Sequence, residues 1–219
     1  MDENEKSKIL TVFKALLTHY GRQGWWPGES SLEIVVGAIL VQRTRWEAAA
    51  RVIVRLKNND LLDLRILANM QPLILEKYLK GVNYYRQKAQ RIINLCRGIL
   101  SKYGSLEKAF SCPVTELRSF LLSVNGIGPE TADSIILYAA NKLSLPVSEY
   151  TVRVLTRIGI KNKGGYDRWR EFLMESLPRN IDVYKEFHAL MVTHGRKICK
   201  KSPLCDLCPI SSICESGKS

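Results

Sequence analysis

Apolar side chains recur along this chain at the spacing of an α-helix. Residues 6–20 show the pattern simply, because Ile9, Phe13 and Leu16 fall on one stripe, as in a helix that packs one face against a core. The same spacing, with varying clarity, predicts eight further helices, at residues 31–42, 46–57, 84–103, 114–123, 130–142, 149–158, 167–176 and 182–198.

Strand signals are weak, since no stretch alternates apolar and polar residues for long. Glycine and proline fall between the predicted helices, where they interrupt regular structure. No internal repeat or low-complexity segment is present. We therefore predict an all-α fold, in a chain of 219 residues that suits one compact domain or two small interleaved ones.

The charge of the chain narrows the class of partner. Its 33 Lys and Arg against 21 Asp and Glu leave a net charge of +12, which favours nucleic acid over a merely solvated surface. The longest apolar runs, such as residues 34–41, are far shorter than the roughly 18 residues that a membrane span needs. The acidic residues 1–5 do not resemble a secretory signal, so we expect an intracellular protein of the cytoplasm or nucleoid, with no membrane partner.

Four of the six cysteines lie close together near the end of the chain, at Cys199, Cys205, Cys208 and Cys214. Nothing suggests secretion, so disulfides are disfavoured. Zinc and an iron–sulfur cluster both take four thiolates, and the spacing alone does not separate them. Lys200 and Lys201 lie between the first two cysteines and are candidates for contact with a phosphate backbone. Cys96 and Cys112, which stand alone, are interpreted as core or surface thiols.

A short glycine-containing turn at residues 124–130 connects two predicted helices. Gly126 and Gly128 permit backbone conformations closed to other residues, and Ile127 between them is expected to pack back into the helices. Pro129 suits the first turn of the second helix. The exposed amides and the helix N-terminus, which includes Thr131, predict an anion site for one phosphate.

With this turn and the clustered cysteines, the sequence resembles the helix-hairpin-helix DNA glycosylase superfamily, on its endonuclease III side. The resemblance rests on residues 124–133, 146–155 and 194–199, on the four cysteines, and on residues 40–44. It implies a [4Fe-4S] cluster on Cys199, Cys205, Cys208 and Cys214, double-stranded DNA containing a damaged base as the partner, and a monomer. The gap of five residues between the first two cysteines departs from the familiar gap of six without threatening ligation.

The resemblance also implies two all-α modules that flank a DNA-binding cleft. An N-terminal helix in residues 1–24 and the segment 144–219 would form the cluster module. Residues 25–143 would form a six-helix barrel, with the helix-hairpin-helix at 114–142. The target base would be flipped out of the duplex into the cleft.

Residues 24–27, 37–48 and 84–89 resemble the 3-methyladenine DNA glycosylase branch of this superfamily. Trp25 and Trp26 would stack on an extruded base together with Tyr150, although anchoring of a loop to the core is the simpler interpretation of the tryptophans. Gln42, beside Arg43, matches the residue that enters the duplex where the base leaves. Its simpler interpretation is a surface amide at a helix end.

Two positions depart from the family pattern. Ser148 stands where the superfamily has a catalytic aspartate, and Glu130 stands where members with lyase activity have a lysine. The serine is expected to cap the helix at 149–158, and Glu149 or Glu130 is a candidate substitute for the missing carboxylate. The lack of the lysine predicts a monofunctional glycosylase, with alkylated purine as the first expected substrate and a deaminated or oxidised base as the second. The alternative is a non-catalytic DNA-binding protein on the same scaffold.

Overall fold

A computed structural model describes residues 3–161 and 163–216 of the chain. Within those residues there are twelve α-helices: α1 Glu3–Tyr20, α2 Ser31–Leu40, α3 Trp46–Lys57, α4 Leu64–Asn69, α5 Pro72–Leu79, α6 Tyr85–Tyr103, α7 Leu106–Ser111, α8 Val114–Ser123, α9 Pro129–Ser134, α10 Glu149–Arg157, α11 Tyr166–Ser176 and α12 Ile181–Lys197. The described residues contain no strand, and the prediction of an all-α fold is confirmed.

The apolar spacing did not predict three helices, because they are short. Helices α4 and α7 have six residues each and α5 has eight, too few for an apolar stripe to repeat. The predicted helix at 130–142 is also interrupted, since α9 continues as a π-helical segment at Ile135–Ala139. All five residues of that segment are buried, so no polar face marks its period in the sequence.

Side chains that accept backbone N–H groups fix the start of several helices. The Oγ atom of Ser30 accepts the N–H of Glu33 at the start of α2. Asn180 accepts two N–H groups at the start of α12. Such caps satisfy donors that a helix cannot satisfy internally, and each stabilises the fold by about 1 kcal/mol.

The chain divides into two compact units. The central unit is Trp26–Lys142, and the terminal unit is formed by Met1–Trp25 together with Leu143–Ser219. Trp25 and Leu143, which the expected boundaries assigned to the barrel, therefore belong to the terminal unit. For Trp25 the reason is visible, because its ring packs edge-on against His188, with 6.0 Å between ring centroids.

The central unit has one continuous apolar core built around α2 and α6. Buried residues of both helices, including Ile39 and Ile93, join that core together with Ile127 of the glycine turn. Cys96 is also part of it, in agreement with its interpretation as a core thiol. Burial raises the pKa of that thiol to about 12, so it stays protonated at neutral pH. Cys112 is half-buried.

The terminal unit brings both ends of the chain together. Helix α1 packs against α11 and α12, and the rings of Phe13 and Phe187 meet at 6.0 Å. The N-terminal helix is also tied by charge, since Glu5 accepts a hydrogen bond of 2.5 Å from Lys163 Nζ. In the part of the chain that the structure describes, no helix is both long enough and apolar enough to cross a membrane.

Candidate DNA-binding and catalytic site

The two glycines in the turn between α8 and α9 have different backbone conformations. Gly126 has a φ of +88°, the left-handed region that favours glycine. Gly128 has a φ of −87°, an extended conformation open to any residue, so only Gly126 uses the backbone freedom that glycine permits. A Cβ atom built on Gly128 would meet nothing within 4 Å. This glycine leaves open space beside the start of α9.

Two buried contacts hold the hairpin rigid. Ile127 is 4% exposed and packs into the core of the central unit, as expected. Arg118 of α8 forms a bidentate ion pair with Asp133 of α9, with N–O distances of 3.0 and 3.3 Å. The carboxylate of Asp133 is fully buried, and a planar guanidinium satisfies both of its oxygens.

Gln42, just after α2, contacts this hairpin through its side-chain amide. Its Nε2 donates to the carbonyl oxygen of Gly126 at 3.2 Å and to Oγ1 of Thr131 at 2.9 Å. Its Oε1 accepts a hydrogen bond from Nη1 of Arg91 at 2.5 Å. Gln42 is therefore half-buried and bonded to the hairpin, and is not the solvated surface amide of the simpler interpretation.

The backbone beside Gln42 is held by the first turn of α6 and by the residue Asn83 just before that helix. Lys88 Nζ donates to the carbonyl of Leu40 at 2.8 Å and to Oγ1 of Thr44 at 2.7 Å. Asn83 Nδ2 donates to the carbonyl of Arg43 at 2.7 Å. Arg43 is exposed and has a φ of +50°, a conformation that costs a residue with a side chain on the order of 1 kcal/mol.

The ammonium group of Lys88 is unusual because it is completely buried. Its burial and the nearby charge of Arg91 lower the pKa of Lys88 to about 8. Even a neutral amine at this position can donate the two hydrogen bonds to Leu40 and Thr44. Lys88 therefore supports the turn in either protonation state.

Ser148 caps α10, as expected. Its Oγ accepts the N–H of Thr151 at 3.1 Å and lies 3.0 Å from Oγ1 of the same residue. The residue is 2% exposed. Glu149, the first residue of α10, is exposed and belongs to the terminal unit with Ser148, whereas Glu130 is exposed on α9 of the central unit.

The three aromatic candidates for a base pocket lie in different surroundings. Trp25 packs on His188 in the terminal unit. Trp26 begins the central unit and packs edge-on against Trp46 and Tyr138, at 5.9 and 5.5 Å. Tyr150, half-buried on α10, has the guanidinium of Arg153 over its ring at 5.1 Å.

The four clustered cysteines line one cavity of the terminal unit. Apolar residues of α10 and of the C-terminal segment, such as Val154 and Ile210, complete its wall. Burial raises the pKa of Cys208, the backbone hydrogen bond at Ile210 lowers it, and the charges of Cys199, Cys214 and Cys205 raise it further. Within residues 3–161 and 163–216, no three His, Cys, Asp or Glu side chains converge closely enough to hold a single metal ion.

Arg157 of α10 fixes the loop that carries Lys200 and Lys201. Its guanidinium donates to the carbonyls of both lysines, at 2.5 and 2.9 Å, and to Sγ of Cys199 at 3.3 Å. Both lysines are exposed. The backbone of this loop is thus ordered by an arginine, while the two ammonium groups face solvent.

His194 of α12 lies between the cysteine cavity and α1. Its Nδ1 is 3.0 Å from the hydroxyl of Tyr20 and its Nε2 is 3.7 Å from Sγ of Cys208. Burial and the nearby charge of His19 lower the pKa of His194 to about 4, so its ring is neutral at pH 7.

Sequence reasoning missed the side chains that position these groups, chiefly Lys88, Arg91, Arg118 and Arg157. Each is a basic residue on a helix, and in the sequence each reads as part of a solvated face. Two signals were available: Lys88 and Arg91 lie one helical turn apart on α6, and Lys88 belongs to the run 84–89 that resembles the 3-methyladenine glycosylase branch. The contacts that distinguish them are made with residues distant in the chain.

The sequence is similar to those of known DNA repair proteins. The chain is 42% identical, over 99% of its length and 100% of the relative's, to a protein of Methanocaldococcus jannaschii that is classed as a DNA repair glycosylase. It is 30% identical to endonuclease III of Thermotoga maritima, over 83% of this chain and 81% of the relative.

The fold is also similar to those of solved DNA repair enzymes. A 3-methyladenine DNA glycosylase of H. pylori bound to 1,N6-ethenoadenine matches with a TM-score of 0.76 and 28% identity, over 86% of this chain and 97% of that one. An endonuclease III–DNA complex matches in fold with a TM-score of 0.82 and 22% identity, over 97% and 96% of the two chains. The model of the HhH-GPD superfamily matches residues 36–179. The chain therefore belongs to the HhH-GPD superfamily of base excision DNA repair proteins and is an endonuclease III-like DNA repair glycosylase.

Proposed function

We propose that this protein is a monofunctional DNA N-glycosylase that excises a damaged base from duplex DNA. An alkylated purine is the first substrate class, and a deaminated or oxidised base is the second. The observation that carries the proposal is the chemistry at residues 130 and 148. Glu130 has no amine to form a Schiff base with the sugar, and Ser148 is a buried helix cap without charge.

The Ser148 hydroxyl is a weak electrostatic partner for the reaction. It is engaged by the N–H and the hydroxyl of Thr151, and it offers no negative charge to a developing oxocarbenium ion. A cationic N-alkylated purine needs less help, because it leaves as a neutral base when the C1′–N bond breaks and its electrons move to the ring. Water then adds to C1′ and loses a proton, and an abasic site remains. Exposed Glu149 is the proposed acceptor of that proton.

We propose that Trp25, Trp26 and Tyr150 recognise the extruded base. Stacking of a cationic purine on such rings contributes roughly 1–2 kcal/mol through cation–π attraction. Trp26 is suited to this role because Trp46 and Tyr138 hold its ring edge-on. The 28% identity to a solved 3-methyladenine DNA glycosylase supports a purine as the first substrate class.

We propose that the α8–α9 hairpin binds one DNA phosphate, beside open Gly128. Gln42 and Arg43 would meet the duplex where the base leaves, and Lys200 and Lys201 would contact a further stretch of backbone. Each phosphate that is neutralised releases counterions, so the affinity for duplex should fall steeply with salt. We expect one protein molecule per lesion.

We also propose that Cys199, Cys205, Cys208 and Cys214 bind a [4Fe-4S] cluster. The residues fit this group because all four line one cavity. Four thiolates also suit a zinc ion, and the similarity to endonuclease III favours the iron–sulfur cluster, which takes the same four ligands. When bound, the cluster would order the C-terminal segment and hold the loop that carries Lys200 and Lys201.

Base release is the direct test of the reaction. Duplexes that carry 3-methyladenine or 7-methylguanine, uracil, hypoxanthine, 8-oxoguanine or an oxidised pyrimidine are incubated with the protein and then treated with hot alkali. Strand breaks that need alkali, formed on the alkylated duplexes first, are the expected result. Breaks without alkali would contradict the monofunctional assignment.

A Ser148→Asp variant separates the enzyme from a DNA-binding protein on the same scaffold. If the natural sequence binds the duplexes but releases no base, and Ser148→Asp restores release, the proposed activity is wrong and the buried serine marks a binding protein. A fully folded Ser148→Ala variant serves as the control, because it lacks both the hydroxyl and the charge.

The cluster is tested by anaerobic purification. Broad visible absorption and about four iron atoms per chain are expected, and a Cys205→Ser variant should lose both. A Cys112→Ser variant is the matched control, since that cysteine belongs to the central unit and should leave the absorption unchanged. One zinc ion per chain and no colour would overturn the assignment.

A further inference from the structure

The side chain of Arg91 contacts both parts of the proposed DNA-binding surface of the central unit. Its Nη1 donates to Oε1 of Gln42 at 2.5 Å. Its aliphatic stem and Nε lie across Gly126, where a Cβ atom built on that glycine would overlap them. One side chain on α6 therefore touches the residue that would enter the duplex and the turn that would hold the phosphate.

The amide of Gln42 has both of its polar atoms engaged in this arrangement. Oε1 is held by Arg91, and Nε2 is held by Gly126 and Thr131 of the hairpin. A glutamine side chain has three rotatable bonds, and fixing it costs conformational entropy. These contacts meet that cost before any DNA is present, so the amide is preorganised.

The neighbouring side chains of α6 restrain the backbone of the same turn. Lys88, one helical turn before Arg91, holds Leu40 and Thr44. Lys88 therefore fixes the two ends of the turn, whereas Arg91 fixes the side chain at its centre. This division makes Arg91 the residue whose loss should disturb Gln42 with least effect on the turn itself.

We propose that Arg91 is a positioning residue that couples the hairpin to Gln42, so that seating the hairpin on a phosphate also aligns Gln42 with the opening left by the flipped base. This inference rests on the proposed function, since it takes Gln42 as the residue that enters the duplex. Arg91 acts through Gln42 and Gly126 and is not itself placed on the reacting atoms. The alternative role of Arg91, direct contact with a phosphate, predicts a different pattern of energies.

A double-mutant cycle distinguishes the two roles. The variants are Gln42→Ala, Arg91→Met and the double variant, with Lys102→Met as a control that removes one positive charge from the far end of α6. The probes are two duplexes, one undamaged and one with a central tetrahydrofuran abasic-site analogue opposite 2-aminopurine. Anisotropy gives both affinities, and the 2-aminopurine fluorescence reports entry of a side chain into the stack.

If Arg91 acts through Gln42, each single variant should lower the preference for the abasic duplex by about ten-fold, and the double variant should be no worse than Gln42→Ala alone. The fluorescence change should be lost with the preference. Lys102→Met should keep both. Losses that multiply in the double variant, or an Arg91→Met variant that weakens binding to both duplexes equally, would overturn the proposal in favour of a phosphate contact.

The proposed function and this inference fail in different ways. If the natural protein binds neither duplex, or binds without any 2-aminopurine response, the proposed entry of Gln42 is wrong. If the natural protein responds and Arg91→Met responds equally, with unfolding curves that show both to be folded, only the positioning role is wrong. An Arg91→Lys variant retains the charge without the guanidinium geometry and is expected to resemble Arg91→Met.

Discussion

Tyr150 of α10 lies directly against the backbone of Gly195 in α12. A Cβ atom built on Gly195 would fall 2.6 Å from Cβ of Tyr150, closer than such atoms approach. Arg153 completes the contact, because its Nη2 donates to the carbonyl of Gly195 at 2.9 Å while its guanidinium covers the Tyr150 ring. The glycine thus sets how close α10 comes to α12 and where Tyr150 sits.

Gly195→Ala is therefore expected to push Tyr150 and α10 away from α12. The variant should lose about 1–3 kcal/mol in the free energy of unfolding, as over-packed sites do, and should bind an alkylated purine less well if Tyr150 lines the pocket. Urea unfolding and base-release kinetics measure the two effects. Unchanged stability would mean that the helices separate without cost.

The hairpin glycines give a matched pair of variants. Gly126→Ala meets both a left-handed φ of +88° and the side chain of Arg91, so we expect it to lower the free energy of unfolding by about 1–3 kcal/mol. Gly128→Ala meets open space at an extended φ and should leave stability within about 0.5 kcal/mol.

For the affinity for undamaged duplex, Gly128→Ala is the more informative of the two variants. The Gly128→Ala methyl group would occupy the space beside the start of α9, so a stable variant with several-fold weaker binding is expected from a phosphate at this position. Anisotropy at fixed salt checks it. Full affinity of the Gly128→Ala protein would refute the phosphate site at the hairpin.

Ser148 should make its structural contribution through the cap of α10 alone. Ser148→Ala removes the acceptor of the Thr151 N–H and should cost about 1 kcal/mol of stability, whereas Ser148→Asp can also cap a helix and should cost less. Thermal unfolding of the two variants beside the natural protein makes the comparison. An alanine variant as stable as the natural protein would show that Thr151 finds another partner.

Because His188 is buried, we expect the stability of the protein to fall at acidic pH. Burial lowers the pKa of this histidine to about 4, from an ordinary value of 6.5. Between those two values the unfolded chain binds a proton that the folded chain does not, so the free energy of unfolding should fall as the pH drops from 6.5 to 4. The loss attributable to His188 approaches about 3 kcal/mol at the lower end.

A His188→Phe variant isolates this contribution. It keeps a ring of similar size beside Trp25 but cannot titrate, while His194 titrates equally in both proteins. Urea unfolding at several pH values should therefore show a shallower decline for the variant between pH 6.5 and 4. Parallel declines would show that His188 titrates in the folded protein at its ordinary pKa of 6.5.

Much of the helical architecture was predictable because its cause is local. The apolar stripe of α1 and the polar cap of α10 lie within a few residues of the structure they specify. The turn at 124–130 was also recognisable, since Gly126 and Pro129 act on their own backbone. The short helices α4 and α7 were not predictable, because six residues carry too little pattern and their place depends on the core they cover.

The amino-acid sequence by itself determined the helical class, the hairpin, the cap at Ser148, the clustered cysteines and the family. Only the tertiary structure decided that Gln42 is bonded to the hairpin, that Arg91 explains the glycine at 126, and that Lys88 is buried beneath the turn. Contacts between residues some 35 to 90 positions apart create these roles. A basic residue on a helix carries no local sign of the partner it meets, because that partner is chosen by how the helices pack.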